Sequence, residues 1–502
     1  MKTLSLLRIL TLAAAGPLVL LPIGCNTIPK TERALGTFPV KMEQAEQELI
    51  GSPEWGLALS GGGIRSSLFA IGGLKALHDS GRLKDVKIIS SVSGGSYAAY
   101  WLYSNNQAQL EESKTKEFGW FSLDDQNFNV RVAELSLTSN FVTNAQYVGA
   151  LAQGAVTFSP GAAAVNLYDQ RLKRTYGARD IKDASITDLH SAVADGQSPY
   201  LVVNATVTKP KAQLGWADGL LEMTPLFVGN QQFGYRPWVN EPIQFRRAVA
   251  ISGSAVTAFL QQPITMPDGK APAEVTGTDG GKSENLGAIA LIRRGVPNII
   301  IFDAEFDPKY RYGAYQNLKN RLAEWNLALS NRELDAYIEG QFSNEAARAV
   351  LKQAVHKVDV MTKGTQNKIS TIYYVKMALS DDIVTKLRAS EGDTEARQYL
   401  EDFRGALSNG QQPEVWRKPW TWNQPDWKPE RVAAVPAPPL DRWLAAVTWD
   451  YSGFLNSPNA PSGFIARRFK FPMYGTEDQS FYGDQAIAYI GLGYLAASEI
   501  MK

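Results

Sequence analysis

The chain has 502 residues, 44% of them hydrophobic and 20% charged, with a formal net charge of +1. That balance is ordinary globular material with apolar residues enough for a large core, which excludes a disordered chain. Nucleic acid is excluded as a partner, because the chain has neither a basic excess nor a dense Lys/Arg block.

Lys2 and Arg8 accompany an apolar stretch, Ile9 to Ile23, that is too short and too interrupted by Gly16, Pro17 and Pro22 to span a bilayer. Residues 1–24 are therefore expected to be a cleaved secretory signal. The next residue, Cys25, is the chain's single cysteine, and Gly24-Cys25 resembles the end of a bacterial lipobox, with Pro22 where leucine is usual. A lipid on Cys25, a polar tether over 25–50 and an outer-membrane place in a bacterial envelope are the expectation. The alternative is a secreted or periplasmic protein without the lipid. One cysteine also excludes internal disulfides.

Organised sequence begins at Trp55. Trp55 to Leu59 reads as a buried strand, Ser60 to Gly63 as a glycine loop, and Leu68, Ile71, Leu74 and Leu77 mark a helix after it. Val86 to Ile89 is a second strand, and Gly95 to Tyr103 its helix. Strand, loop and helix repeated in this way predict an α/β start with a parallel sheet. Tyr200 to Val207, Arg247 to Ile251 and Asn298 to Phe302 are further strand candidates, rich in β-branched or aromatic residues. Past residue 310 the texture changes. Leu318, Leu322, Trp325 and Leu329 recur at helical spacing, the run to His356 reads mostly as amphipathic helix, and Ile372 to Met377 as a strand. Residues 411–449 are rich in Pro and Trp (Trp416, Trp420, Trp422, Trp427, Trp443, Trp449) and read as an irregular loop buried against the sheet, with lipid docking the alternative.

Three separated segments carry chemistry. Gly61, Gly62 and Gly63 lack Cβ atoms, so their amides can turn toward a developing oxyanion, and the helix that follows adds its positive end. The loop lacks the Gly-Lys-Ser/Thr ending of a phosphate loop, and Ser66 stands where a dinucleotide loop needs its third glycine. Among Ser90, Ser91, Ser93 and Ser96, only Ser93 has small residues two places away on both sides, Ser91 and Gly95, as a strained nucleophile turn requires. Asp279, followed by Gly280 and Gly281, is the candidate base. The chain has three histidines, His78, His190 and His356, each read as an ordinary helix residue, so a serine–aspartate dyad is preferred. No calcium- or zinc-type ligand cluster is visible, so no metal and no cofactor are expected.

With these residues in view, the chain resembles the patatin-like phospholipases, whose superfamily includes cytosolic phospholipase A2. The resemblance rests on Gly61, Gly62, Gly63 and Arg65, on Ser93 and Gly95, and on Asp279, Gly280 and Gly281, with Asn204-Ala205-Thr206, Ala250-Ile251-Ser252-Gly253, Glu284-Asn285-Leu286-Gly287 and Phe471-Pro472 as further family-like stretches. It implies a three-layer α/β/α sandwich with a mostly parallel central sheet, a catalytic core over 51–310 and a mixed, largely helical extension over 311–502. It further implies hydrolysis of lipid esters through an acyl-enzyme, with membrane lipids as substrate and no cofactor. Arg65 is left between two roles, contact with an anionic head group and bracing of the loop. Two rival readings stand beside this one: a catalytically silent lipid-binding lipoprotein, and an esterase with a Ser93, Asp279, His356 triad.

Overall fold

The computed structural model describes residues 42–113, 123–138, 169–177, 184–209, 219–230, 234–238, 242–254, 262–265, 274–340, 352–408, 429–455, 469–475, 481 and 483–501. The signal segment, Cys25, most of the tether and Trp416, Trp420, Trp422 and Trp427 lie outside them. No helix of the described residues is long and apolar enough to cross a membrane.

At the centre run β1 (Trp55–Leu59), β2 (Val86–Val92), β3 (Tyr200–Lys209), β9 (Asn298–Asp303) and β12 (Lys368–Lys376), in the order β12-β9-β1-β2-β3. All neighbouring pairs among these five are parallel. Antiparallel strands widen the sheet on both sides. Beyond β3 come β4 (Leu220–Met223), β5 (Phe227–Asn230) and β6 (Gly234–Pro237), while β7 (Gln262–Thr265) and β8 (Glu274–Asp279) attach to β3 as a side branch. Beyond β12 come β11 (Val355–Thr362) and β10 (Leu327–Ser330).

Alternation along the central strands explains the sandwich. Leu57, Leu59, Ile89, Ile300 and Phe302 point into one apolar core, while Ala58, Ile88, Ile299 and Ile301 point into the other. A period of two thus buries both faces. One face is covered by α1 (Gly63–Asp79), α2 (Gly94–Ser113), α3 (Phe245–Ser252), α6 (Leu440–Leu455) and α7 (Gly483–Ala497). The other is covered by α4 (Ala288–Ile292) and α5 (Gly313–Glu324).

The helix behind the glycine loop is held from the far end of the sequence. On α1, a methyl group at Gly72 would lie 1.9 Å from the Ile490 carbonyl oxygen, and on α7 one at Gly493 would lie 1.9 Å from the Phe69 carbonyl oxygen. The two backbones therefore touch directly.

Four sequence expectations are corrected here. Arg247 to Ile251 is not a strand but part of α3, whose buried Phe245, Ala248, Val249 and Ser252 follow helical spacing; its β-branched content misled. Leu318 and Leu322 do lie on α5, but that helix stops at Glu324, and Asn326 turns the chain through a left-handed φ of 60°, so Leu329 falls on β10. His356 belongs to β11 rather than to a helix. Of the tryptophan-rich segment, buried Trp443 and partly buried Trp449 sit on α6, in regular helix rather than an irregular loop.

Candidate active site

Parallel strands bring all their C-terminal ends to one edge of the sheet, where open α/β sheets build sites. Leu59 pairs with Ser91 across β1 and β2, so the glycine loop and the turn at Ser93 leave the sheet side by side. A Cβ at Gly94 would lie 2.0 Å from the Gly63 carbonyl oxygen, and one at Gly95 would lie 2.2 Å from that of Leu59. Only glycine lets the two turns come this close.

Ser93 has φ of 50°, a left-handed conformation that a serine adopts only when its surroundings hold it. Its N–H donates to Ser252 Oγ at 2.9 Å, and the Ser252 hydroxyl donates to the Asn204 carbonyl oxygen at 2.6 Å. Behind them Ser96 Oγ lies 3.0 Å from Ser252 Oγ and donates to Ser91 Oγ at 3.0 Å. In the sequence Ser252 is part of a family-like stretch with no role of its own. Its link to Ser93 spans 159 residues and leaves no local signal.

Asp279 ends β8, which pairs antiparallel with β3 and places Asp279 opposite Ala205. The Ser93 hydroxyl donates to Asp279 Oδ2 at 2.8 Å, and the Gly281 N–H donates to Asp279 Oδ1 at 2.7 Å. Ser93 is 4% exposed and Asp279 6%. Burial raises the Asp279 pKa above the ordinary aspartate value, against the opposing hydrogen bonds from Ser93 and Gly281 and the charge of Lys282.

The three loop glycines are not equivalent. The Gly61 N–H donates to the Asn285 carbonyl oxygen at 2.8 Å and so is occupied by the fold. Gly62, with φ of 148°, caps α1, and Gly63 begins it, so the N–H of Gly63 belongs to the first turn that has no partner within the helix. Neither the Gly62 nor the Gly63 N–H has a hydrogen-bond partner among the described residues. Gly280 packs with its α-carbon against the Asn204 carbonyl, where a Cβ would come within 2.4 Å.

Arg65 is buried. Its Nε and Nη2 donate to the Ala304 carbonyl oxygen at 3.1 and 2.9 Å, and Nη1 donates to that of Tyr474. Of the two roles read from sequence, this geometry is that of a brace on the loop.

No histidine joins this group. His356 sits on β11, four strand positions from β2 in the order β11-β12-β9-β1-β2, roughly 19 Å at ~4.8 Å per strand. It is buried against the Tyr312 hydroxyl at 3.2 Å, and burial lowers its pKa to about 4, so the ring is neutral at pH 7. His78 is bonded to Asp79 at the far end of α1, and His190 is exposed on the helix Leu189–Ala194. The triad alternative through His356 is not formed.

The family model for patatin-like phospholipase matches residues 57–292, a span that contains the glycine loop, Ser93 and Asp279. This region of the chain is a patatin-like phospholipase domain. No curated protein matches the sequence. The structure of human GIVD cytosolic phospholipase A2 is similar with a TM-score of 0.51 at 12% identity, covering 91% of this chain and 66% of that one. The same human protein in complex with methyl gamma-linolenyl fluorophosphonate gives 0.49 at 14% identity, covering 92% and 62%. The chain thus spans less than two thirds of those proteins, and the likeness is one of fold. Around the patatin-like domain the shared architecture is the α/β sandwich described above, with the patatin-like motifs at the C-terminal edge of its parallel strands.

Proposed function

We propose that this protein is a serine lipid acyl hydrolase working through a Ser93–Asp279 dyad. Ser93 Oγ attacks the carbonyl carbon of a lipid ester while its proton passes to Asp279 Oδ2. The carbonyl π electrons move onto oxygen, and the oxyanion is held by the amides of Gly62 and Gly63. Collapse breaks the ester C–O bond, and the leaving alkoxide takes the proton from Asp279, leaving an acyl-Ser93. Water then repeats the sequence: it gives a proton to Asp279, attacks the acyl carbon, and the proton returns to Ser93 as the fatty acid departs.

The observation that carries this reading is the 2.8 Å hydrogen bond from Ser93 to Asp279, made by a serine in a strained turn beside two backbone amides that have no partner among the described residues. Burial supports it, since a carboxylate with a raised pKa is a better base. The test is to incubate purified protein with defined phospholipids and glycerides and follow the products by mass spectrometry. Wild type is expected to release free fatty acid and Ser93→Ala none. Folded wild type that binds these lipids yet releases nothing would favour the silent lipid-binding reading.

Ser252 supplies a second measurement. Ser252→Ala leaves the buried Ser93 amide without its acceptor, a loss of ~1–3 kcal/mol that falls on the geometry of the nucleophile. The expected result is a kcat lower by about tenfold to a hundredfold with KM little changed. Ser254→Ala is the control, because that hydroxyl bonds only the Ile251 carbonyl among the described residues. Equal effects of the two variants would remove Ser252 from the support of Ser93.

A further inference from the structure

Between β9 and α5 the chain runs through Ala304 to Tyr312 at the same sheet edge as the catalytic turns. Its acids bond back into the fold, Asp307 buried and Glu305 about a quarter exposed. Asp307 accepts the N–H groups of Arg311 and Tyr312 at 2.7 and 2.6 Å, and Glu305 accepts that of Ala314 at 2.7 Å. The buried Lys376 ammonium faces Asp303, Glu305 and Asp307 at 2.7, 3.7 and 3.4 Å.

What remains outside is Phe306, Pro308, Lys309 and Arg311, all exposed. Phe306, at 37%, is the one large hydrophobic side chain exposed among the described residues. Neither Lys309 nor Arg311 has an ion-pair partner among them. The loop's shape is fixed rather than loose: Tyr310 and Tyr312 hold left-handed φ of 50° and 55°, and Tyr312 is buried against His356. It also adjoins the glycine loop, since the Ala304 carbonyl is the one braced by Arg65, whose guanidinium lies 5.8 Å from the centre of the Phe306 ring.

We propose that this loop is a docking surface for an anionic lipid membrane, with Lys309 and Arg311 meeting the lipid phosphates and Phe306 entering the head-group layer. The inference deepens the lipid-hydrolase reading and rests on it for its biological sense. Charge complementarity is the main argument. Each Lys or Arg close to an anionic surface strengthens binding about fivefold, and an aromatic ring is favoured at head-group depth. With Asp303 and Asp307 buried around one lysine and Glu305 drawn toward it, the exposed side chains of the loop are cationic or apolar at the rim of the site.

The test measures co-sedimentation with vesicles of mixed phosphatidylglycerol and phosphatidylcholine. The full chain carries Ser93→Ala and Cys25→Ser, so that neither hydrolysis nor a lipid at residue 25 contributes. Lys309→Gln with Arg311→Gln should weaken binding roughly thirtyfold at low salt and much less at high salt. The charge-matched pair Lys84→Gln and Lys87→Gln, exposed at the opposite edge of the sheet, should leave it unchanged. Equal binding by the two double variants, or tighter binding to pure phosphatidylcholine, overturns the proposal. Failure of the hydrolase reading looks different: loop-dependent binding persists while the Ser93-containing chain cleaves no ester, soluble or in vesicles.

Discussion

Ser93→Ala and Asp279→Asn are each expected to lower ester hydrolysis by at least about 10³-fold, with the double variant little worse than either. The reason is that one hydrogen bond, 2.8 Å long, joins the two side chains, and no histidine is near enough to replace Asp279. Once the base is gone, the hydroxyl keeps its proton; once the hydroxyl is gone, the base has nothing to activate. A fluorophosphonate probe should label wild type at Ser93, Asp279→Asn weakly and Ser93→Ala not at all. The pH dependence has a fixed sign. Asp279 must be ionised to act, so kcat/KM falls as pH drops through its pKa, which burial places above the ordinary aspartate value. Full activity in folded Ser93→Ala, or an acid limb that survives unchanged in the residual activity of Asp279→Asn, would refute the dyad.

Gly62→Ala is expected to lower kcat by roughly 10²–10³, the cost of losing one well-placed oxyanion donor. Gly62 has φ of 148°, which a side chain disfavours, and a Cβ there would lie 2.6 Å from the Ala304 carbonyl oxygen. That carbonyl is fixed by two donors from Arg65, so the loop must move instead. Steady-state kinetics with a soluble ester, beside a thermal melt, separate misplacement from unfolding. A folded Gly62→Ala protein with wild-type kcat would remove this amide from the site.

The parts of the site legible in the sequence are those whose requirement is local. A glycine loop after an apolar strand, a serine flanked by small residues and an aspartate before two glycines each announce themselves within a few positions, and the structure joins two of them through the Ser93–Asp279 bond. What stayed hidden is what other segments do to these turns. Ser252 is one small residue at the end of a helix misread as a strand, and nothing near it names Ser93 as its partner. Asn285 takes up the Gly61 amide with a backbone carbonyl, an interaction independent of side-chain identity. The fate of Arg65 depended on Ala304 and Tyr474, 239 and 409 residues away. In the fold, Leu329 and His356 were misplaced because a few apolar residues at mixed spacing fit helix and strand alike, and only pairing with β12 and its neighbours decides.

The glycine contacts between α1 and α7 bear on when the site can exist during synthesis. A chain made from its N-terminus carries the glycine loop, Ser93 and Asp279 long before residues 483–497 emerge. Until then the face of α1 around Gly72, against which α7 lies backbone to backbone, lacks this cover. Translation of the three motifs therefore does not complete the support of the glycine loop; residues 483–497 supply the backbone that lies against α1.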